Sequence, residues 1–294
     1  MSGSQKIIDV AVSNAIGEPF VMRQSRSVGG GSINSASVIA SGSKSFFLKT
    51  NSQNYADMFA AEVDGLNELS KPGVIRVPRP VCFGEAESQA FLVLENIEMS
   101  CGVKASARDL GVRLAKLHQV KANQFGWFRN NLIGATTQIN SYSNSWVDFY
   151  REHRLKFQLS LAEKQGYNGE LQQLGCRLCE SLEVFFRSYQ PYPSLLHGDL
   201  WSGNYGYDNV GEPVIFDPAT YYGDREADIA MTELFGGFSV EFYESYNNAL
   251  PLDDGYAVRK NLYNLYHILN HLNLFGRGYH SQAVSMMKQL LSQI

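Results

Sequence analysis

The sequence predicts an α+β protein in two lobes: a small antiparallel sheet with one packed helix over residues 1–98, and a larger, mostly helical lobe over residues 99–294. Three observations predict it. Short runs of β-branched and aromatic residues, separated by glycine and serine turns, crowd the first third of the chain. Beyond it, apolar residues recur mainly at helical spacing. With 294 residues, 44% of them hydrophobic, the chain can bury a sizeable core and is long enough for two lobes.

The elements of the first lobe follow in order. Ile7, Ile8, Val12 and Ile16 fit one face of a short helix. Residues 20–28 read as a strand that runs into Gly29-Gly30-Gly31-Ser32-Ile33-Asn34. Successive glycines let backbone N–H groups approach an anion closely, as a loop over a phosphate requires. No G-x-x-x-x-G-K-[ST] occurs, which excludes a Walker-type site. A second strand spans residues 36–40 and a third, ending in Lys49, spans residues 46–49. Residues 56–69 form a helix with Met58, Phe59, Val63, Leu66 and Leu69 on its apolar side and Glu62 free to pair with Lys49. Residues 75–83, with Pro78 and Pro80, are extended; residues 90–94 are an apolar strand entering Glu95-Asn96-Ile97.

In the second lobe, Leu110, Leu114 and Leu117 mark a helix carrying His118, expected as a core or capping residue. Residues 123–140 show no clear period and are expected to form a long loop, a wall on the substrate side. Residues 145–164 and 170–189 read as two helices. Cys176 and Cys179 lie within the helical repeat of Leu171, Leu174, Leu178 and Leu182, so reduced thiols are expected rather than a zinc or redox pair. Towards the end, His267 and His271 lie four apart without the H-E-x-x-H arrangement of a metal site.

The chemistry concentrates in His197-Gly198-Asp199-Leu200-Trp201-Ser202-Gly203-Asn204 and Phe216-Asp217-Pro218-Ala219. Residues 205–215 between them read as a hairpin, which would set Asn204 beside Asp217. A phosphoryl group in transfer spreads negative charge, so it needs divalent cations on the phosphates and a carboxylate orienting the attacking hydroxyl. Asp199 is the candidate for that carboxylate; Asn204 and Asp217 supply the oxygen ligands of a hard cation such as Mg²⁺, with Mn²⁺ also possible. The order glycine loop, strand lysine, helix glutamate, then this signature is that of a kinase, with Gly198 where protein kinases carry Arg. Phosphorylation-dependent regulation through that Arg is therefore not expected. In such an enzyme Lys49 reaches the ATP phosphates, and the backbone at Glu95, Asn96 and Ile97 forms the hinge against adenine. Asp228, in the charged run after Gly223, either accepts N–H bonds from the catalytic loop or complements a helix dipole.

A net charge of −4 without a Lys/Arg run provides no field for nucleic acid. Residues 1–10 lack a signal-peptide core and no segment reaches the length of a membrane helix, so a cytoplasmic protein without membrane partners is expected.

The segments LLHGDLWSGN, VIFDPATYYGDREADIAM, LFGGF, FYESYN and NLYHILNHLNLFGRGY, with GGGSIN, FFLKT, RVPRP and LVLENI upstream, resemble the fructosamine kinase (ketosamine 3-kinase) family, within the aminoglycoside phosphotransferase and protein-kinase-like fold. The resemblance implies ATP-dependent phosphorylation of the 3-hydroxyl of fructosamines or ribulosamines, free or on glycated protein side chains. It also implies Asp199 as base, Asn204 and Asp217 as metal ligands, Lys49 with Glu62 as the phosphate-orienting pair, and Trp201 beside the sugar. Trp127, in the aromatic loop around Phe125-Gly126, is a second candidate for substrate contact. A sister kinase acting on an aminoglycoside or choline is the alternative, with a non-catalytic nucleotide-binding scaffold less favoured. A monomer or weak dimer is expected. Some members have Cys where Ser32 stands, linked to redox-controlled dimerisation; Ser32 cannot form that disulfide.

Overall fold

The computed structural model describes residues 2–29 and 34–294. The expectations on Gly30, Gly31 and Ser32, including the loop disulfide that Ser32 forbids, lie outside the described residues. Helix α1 (Gly3–Ile16) starts where the Ser2 hydroxyl accepts the Gln5 N–H and stops at Gly17, whose φ of 73° ends the helix in the left-handed region. Strands β1 (Gln24–Val28), β2 (Ser35–Ser41) and β3 (Lys44–Ser52) lead to α2 (Ala56–Ser70), then β4 (Pro80–Ala86) and β5 (Gln89–Glu95). These five strands form one antiparallel sheet in the order β1-β2-β3-β5-β4.

Alternation along β5 explains how the sheet is covered twice. Phe91 and Val93 face a core with Ile8 and Val12 of α1, whereas Ala90, Leu92 and Leu94 face one with Phe59, Leu66 and Leu69 of α2. The short helix expected at the start of the chain is α1, which covers the outer face of the sheet while α2 covers the inner one. Lys49, on the inner side of β3, pairs with Leu92 in register.

After β6 (Met99–Ser100), helix α3 (Lys104–His118) opens the helical part. The 123–140 segment, expected to be loop, contains a hairpin of β7 (Asn131–Ile133) and β8 (Thr136–Gln138). Helices α4 (Trp146–Tyr150) and α5 (Phe157–Lys164) are joined by a π-helical turn (Arg151–Lys156), and α6 (Glu170–Glu180) follows. Strands β9 (Ser194–Leu196), β10 (Tyr205–Asp208), β11 (Pro213–Ile215) and β12 (Tyr221–Gly223) precede α7 (Glu226–Leu234), α8 (Val240–Ala249), α9 (Tyr256–Phe275) and α10 (His280–Leu291). The core lined by α2 and β5 runs on through Leu110 and Leu114 of α3 to Leu195, Leu200 and Ile215, so sheet and helices share apolar contact directly under the 197–204 segment.

Candidate active site

Strand β9 pairs with β12, and β10 pairs with β11, so the 197–204 and 216–220 segments emerge side by side from two small ladders. Backbone bonds stitch them together: Phe216 N–H donates to Asn204 O at 3.0 Å and Ala219 N–H to His197 O at 2.9 Å. The predicted adjacency of Asn204 and Asp217 follows.

The 197–199 loop is held from beneath. Asp228 accepts the His197 N–H at 2.7 Å and the Gly198 N–H at 2.8 Å, and lies 3.2 Å from His118 Nε2. Of its two expected roles, the loop anchor is realised, and the residue also occupies the first turn of α7. Burial opposes the Asp228 charge, but His118 and the loop N–H bonds overcome it and lower its pKa. His118 is fully buried and bonded on its other nitrogen to the Tyr246 hydroxyl at 2.8 Å, a core role as expected. Burial also lowers the His197 pKa, keeping the ring neutral. Since a carbonyl only accepts, His197 Nε2–H donates to Phe216 O at 3.0 Å, leaving Nδ1 to accept the Asp199 N–H at 3.3 Å.

Gly198 has a φ of 84°, and a Cβ there would lie 2.0 Å from the Ala219 carbonyl oxygen. No side chain fits there, so the loop in this conformation has no room for the Arg that protein kinases carry at that place.

Asp199 sits above this loop. Asn204 Nδ2 donates to its backbone oxygen at 2.8 Å and to its carboxylate at 3.2 Å. Burial, and then the charge of Asp217, push its pKa up to about 7, against a smaller lowering by Asn204. Lys49, only 5% exposed, forms an ion pair with Glu62 at 2.6 Å and another with Asp217. Burial works against its charge, but Asp217 and Glu62 prevail and raise its pKa. Burial also raises the pKa of Glu62, against the pull of Lys49. The structure therefore brings Lys49, Glu62, Asp199, Asn204 and Asp217 into one site.

The donor set fits Mg²⁺. The Asn204 amide spends its N–H on Asp199, which leaves Oδ1 as an oxygen donor, and the Asp217 side chain remains 46% exposed beyond its contact with Lys49. One neutral and one charged oxygen, with room for phosphate and water, suit a hard cation.

The sequence model of the fructosamine kinase family matches residues 4–293. The chain belongs to that family. A Synechocystis protein named as a ketoamine kinase is 47% identical over 281 residues, 95% of this chain and 94% of its own length. A chloroplastic protein-ribulosamine 3-kinase of Oryza sativa subsp. japonica is 41% identical over 271 residues, 91% of this chain and 79% of its own length. A crystal structure of a fructosamine-3-kinase from Haemophilus somnus superposes with a TM-score of 0.89 at 29% identity, covering 97% of this chain and 96% of that one. The fold is the protein-kinase-like one, and the chain is a kinase.

Within this fructosamine kinase the residues expected to form the hinge are partly committed to local contacts. The Glu95 N–H donates to Arg79 O at 2.8 Å, and its carboxylate pairs with Arg76 at 2.7 Å. Asn96 turns its amide back to Ser45 Oγ at 2.9 Å. Ile97 is half-buried beside it. Trp201 is half-buried, and its ring lies where a Cβ on Gly203 would meet it at 2.4 Å. Trp127 departs from the expectation of substrate contact: it is 3% exposed, packed in the helical core beside Phe128, because the loop folds inwards there. Gly29 is exposed at the end of β1.

Two arginines that tie this region together were missed in sequence. Arg76 joins Glu95 of β5 to Asp208 of β10, linking the end of that strand to the β10–β11 hairpin. Arg129 pairs with Asp57 and Asp64 of α2, both at 2.5 Å. The Asp57 to Asp64 interval of seven is the one available signal, since two helical turns put both acids on one face.

Proposed function

We propose that this protein phosphorylates the 3-hydroxyl of ketosamines, fructosamines or ribulosamines, with ATP as phosphoryl donor, on free amines or on glycated protein side chains. The observation that carries the reading is the convergence of Lys49, Glu62 and Asp217 opposite Asp199 and Asn204.

The residues divide the work. Asp199 accepts the proton of the acceptor hydroxyl, and a pKa near 7 makes it a competent base at neutral pH. Lys49, held by Glu62, orients the donor phosphates. Asn204 and Asp217 would hold Mg²⁺ or Mn²⁺, which supplies charge stabilisation on those phosphates. The Glu95 carbonyl and the backbone around Asn96 and Ile97 receive the adenine edge. Trp201 flanks the sugar.

The phosphate-binding lobe spans residues 1–98 and the catalytic lobe residues 99–294. Among the described residues no helix is long and apolar enough to cross a membrane; a cytoplasmic enzyme acting as a monomer or weak dimer is the reading adopted. An ATP-consumption assay with a fructosamine, a ribulosamine, an aminoglycoside and choline tests the assignment. Turnover with either ketosamine is expected; turnover only with the aminoglycoside or choline overturns it.

A further inference from the structure

Lys49 is gripped by two acids from different places, Glu62 on α2 and Asp217 in the loop after β11. For the site to work, α2 and that loop must keep a fixed separation. Among the described residues the β7–β8 hairpin reaches both.

Outwards, Arg129 at the foot of β7 spans Asp57 and Asp64 at 2.5 Å each, with its guanidinium pKa raised by those two acids despite partial burial. Inwards, Asn131 Nδ2 donates to Thr220 O at 2.8 Å, and Gln138 Nε2 donates to Ala219 O at 2.9 Å. Gln138 also donates to Asn131 Oδ1 at 2.9 Å, so the two strands hold one another. The hairpin is itself anchored: Asn140 donates to Asn131 Oδ1 at 2.9 Å and accepts from the buried Arg154 at 2.9 Å. Asn131, Gln138, Asn140 and Arg154 are each at most 5% exposed. Buried amides of this kind are costly to leave unpaired, which fixes the geometry they share.

The connections close a ring. From Lys49 it runs through Glu62 and α2 to Arg129, along β7 to Asn131, and through Thr220 back to Asp217. Inside the ring α2 lies directly on the loop: a Cβ on Gly65 would sit 3.1 Å from Thr220 Oγ1. The Tyr222 hydroxyl donates to Glu68 at 2.8 Å on the same helix.

We propose that the β7–β8 hairpin is a strut that sets the distance between Glu62 and Asp217, with Arg129 as a positioning residue acting through α2. The inference rests on the nucleotide-site reading above. It assigns the fixing of that separation to a hairpin bonded to both elements.

The test is calorimetric titration with magnesium and a non-hydrolysable ATP analogue, of wild type, Arg129→Met, Arg129→Lys, Glu62→Gln and Glu62→Gln/Arg129→Met. Arg129→Met is expected to bind about tenfold more weakly, as misplacement of a positioned group predicts, with partial recovery in Arg129→Lys. In the Glu62→Gln background the same change is expected to add less than about twofold, because residues acting through one another are not additive. Equal affinity in wild type and Arg129→Met overturns the proposal, as does an undiminished loss in the Glu62→Gln background. Asp57→Asn/Asp64→Asn removes the same contact from the helix side, and its failure to weaken binding would overturn it equally, even if Arg129→Met does not fold. No binding by wild type overturns the nucleotide reading itself, and the strut with it.

Discussion

Asp228 accepts the backbone N–H of Gly198 at 2.8 Å, and its second oxygen takes the neighbouring His197 N–H at 2.7 Å. Removing that carboxylate leaves two buried donors and His118 without their acceptor. Asp228→Ala should therefore cost about 3 kcal/mol or more of unfolding free energy, read from urea denaturation, in the range for breaking a buried charged contact. A loss below about 1 kcal/mol would mean that the loop is held by something else.

Asp199→Asn keeps the shape of the side chain and removes the carboxylate proposed as base. Turnover should fall by at least ~10²-fold while nucleotide affinity stays nearly unchanged. Persistent turnover would show that the proton leaves by another route.

The pH profile follows from the same residue. In the proposed role Asp199 acts as the carboxylate, and burial with the charge of Asp217 pushes its pKa up to about 7. Below that pH the protonated fraction grows and kcat/KM for Mg·ATP should drop about tenfold per pH unit. A divalent cation at Asn204 and Asp217 offsets the Asp217 charge, so the acid limb of kcat should lie at lower pH than that of kcat/KM. Coincident limbs would refute the electrostatic coupling.

Gly198→Ala tests the close approach at Ala219. The added methyl would sit 2.0 Å from a carbonyl oxygen on a backbone with φ of 84°. Overpacking and left-handed strain together should destabilise the protein by about 2–4 kcal/mol and remove most activity. Thermal unfolding and turnover measure both; a variant as stable and active as wild type would mean the loop can move aside.

Arg76→Met cuts the link between Glu95 and Asp208. Because Arg76 is 35% exposed, and the buried Asp208 keeps the N–H bonds of Val210 and Glu212, little stability should be lost, within about 1 kcal/mol. The KM for ATP should rise several-fold with kcat less affected, as loss of ground-state binding dictates. Steady-state kinetics at varied ATP provide the check.

The candidate groups were legible because phosphoryl-transfer chemistry dictates their residue types and the chain dictates their order: Lys49, Glu62, Asp199, Asn204 and Asp217 stand out in the sequence, and the fold brings them together. Their supports were not. Arg76 meets Asp208, and Arg129 meets Asp57, through pairings distant in sequence, of which the Asp57–Asp64 spacing is the one local trace. The β7–β8 hairpin was hidden for a different reason. Its inward side chains include Asn131, Thr136 and Gln138, so burial alternates along it while hydrophobicity does not. Trp127 misled in the opposite sense, since an aromatic residue in a glycine-containing loop suggested a ligand wall and instead filled the core.

The backbone at Asp217 has a φ of 56°, a conformation that few residues other than glycine adopt, and Asp and Asn more readily than longer acids. Position 217 is thus constrained by two independent demands, a curve in the chain and a negative oxygen. Asparagine meets the first and fails the second; glutamate meets the second and resists the first. Comparing those two replacements would separate what the loop needs in order to bend from what the phosphates need in order to move.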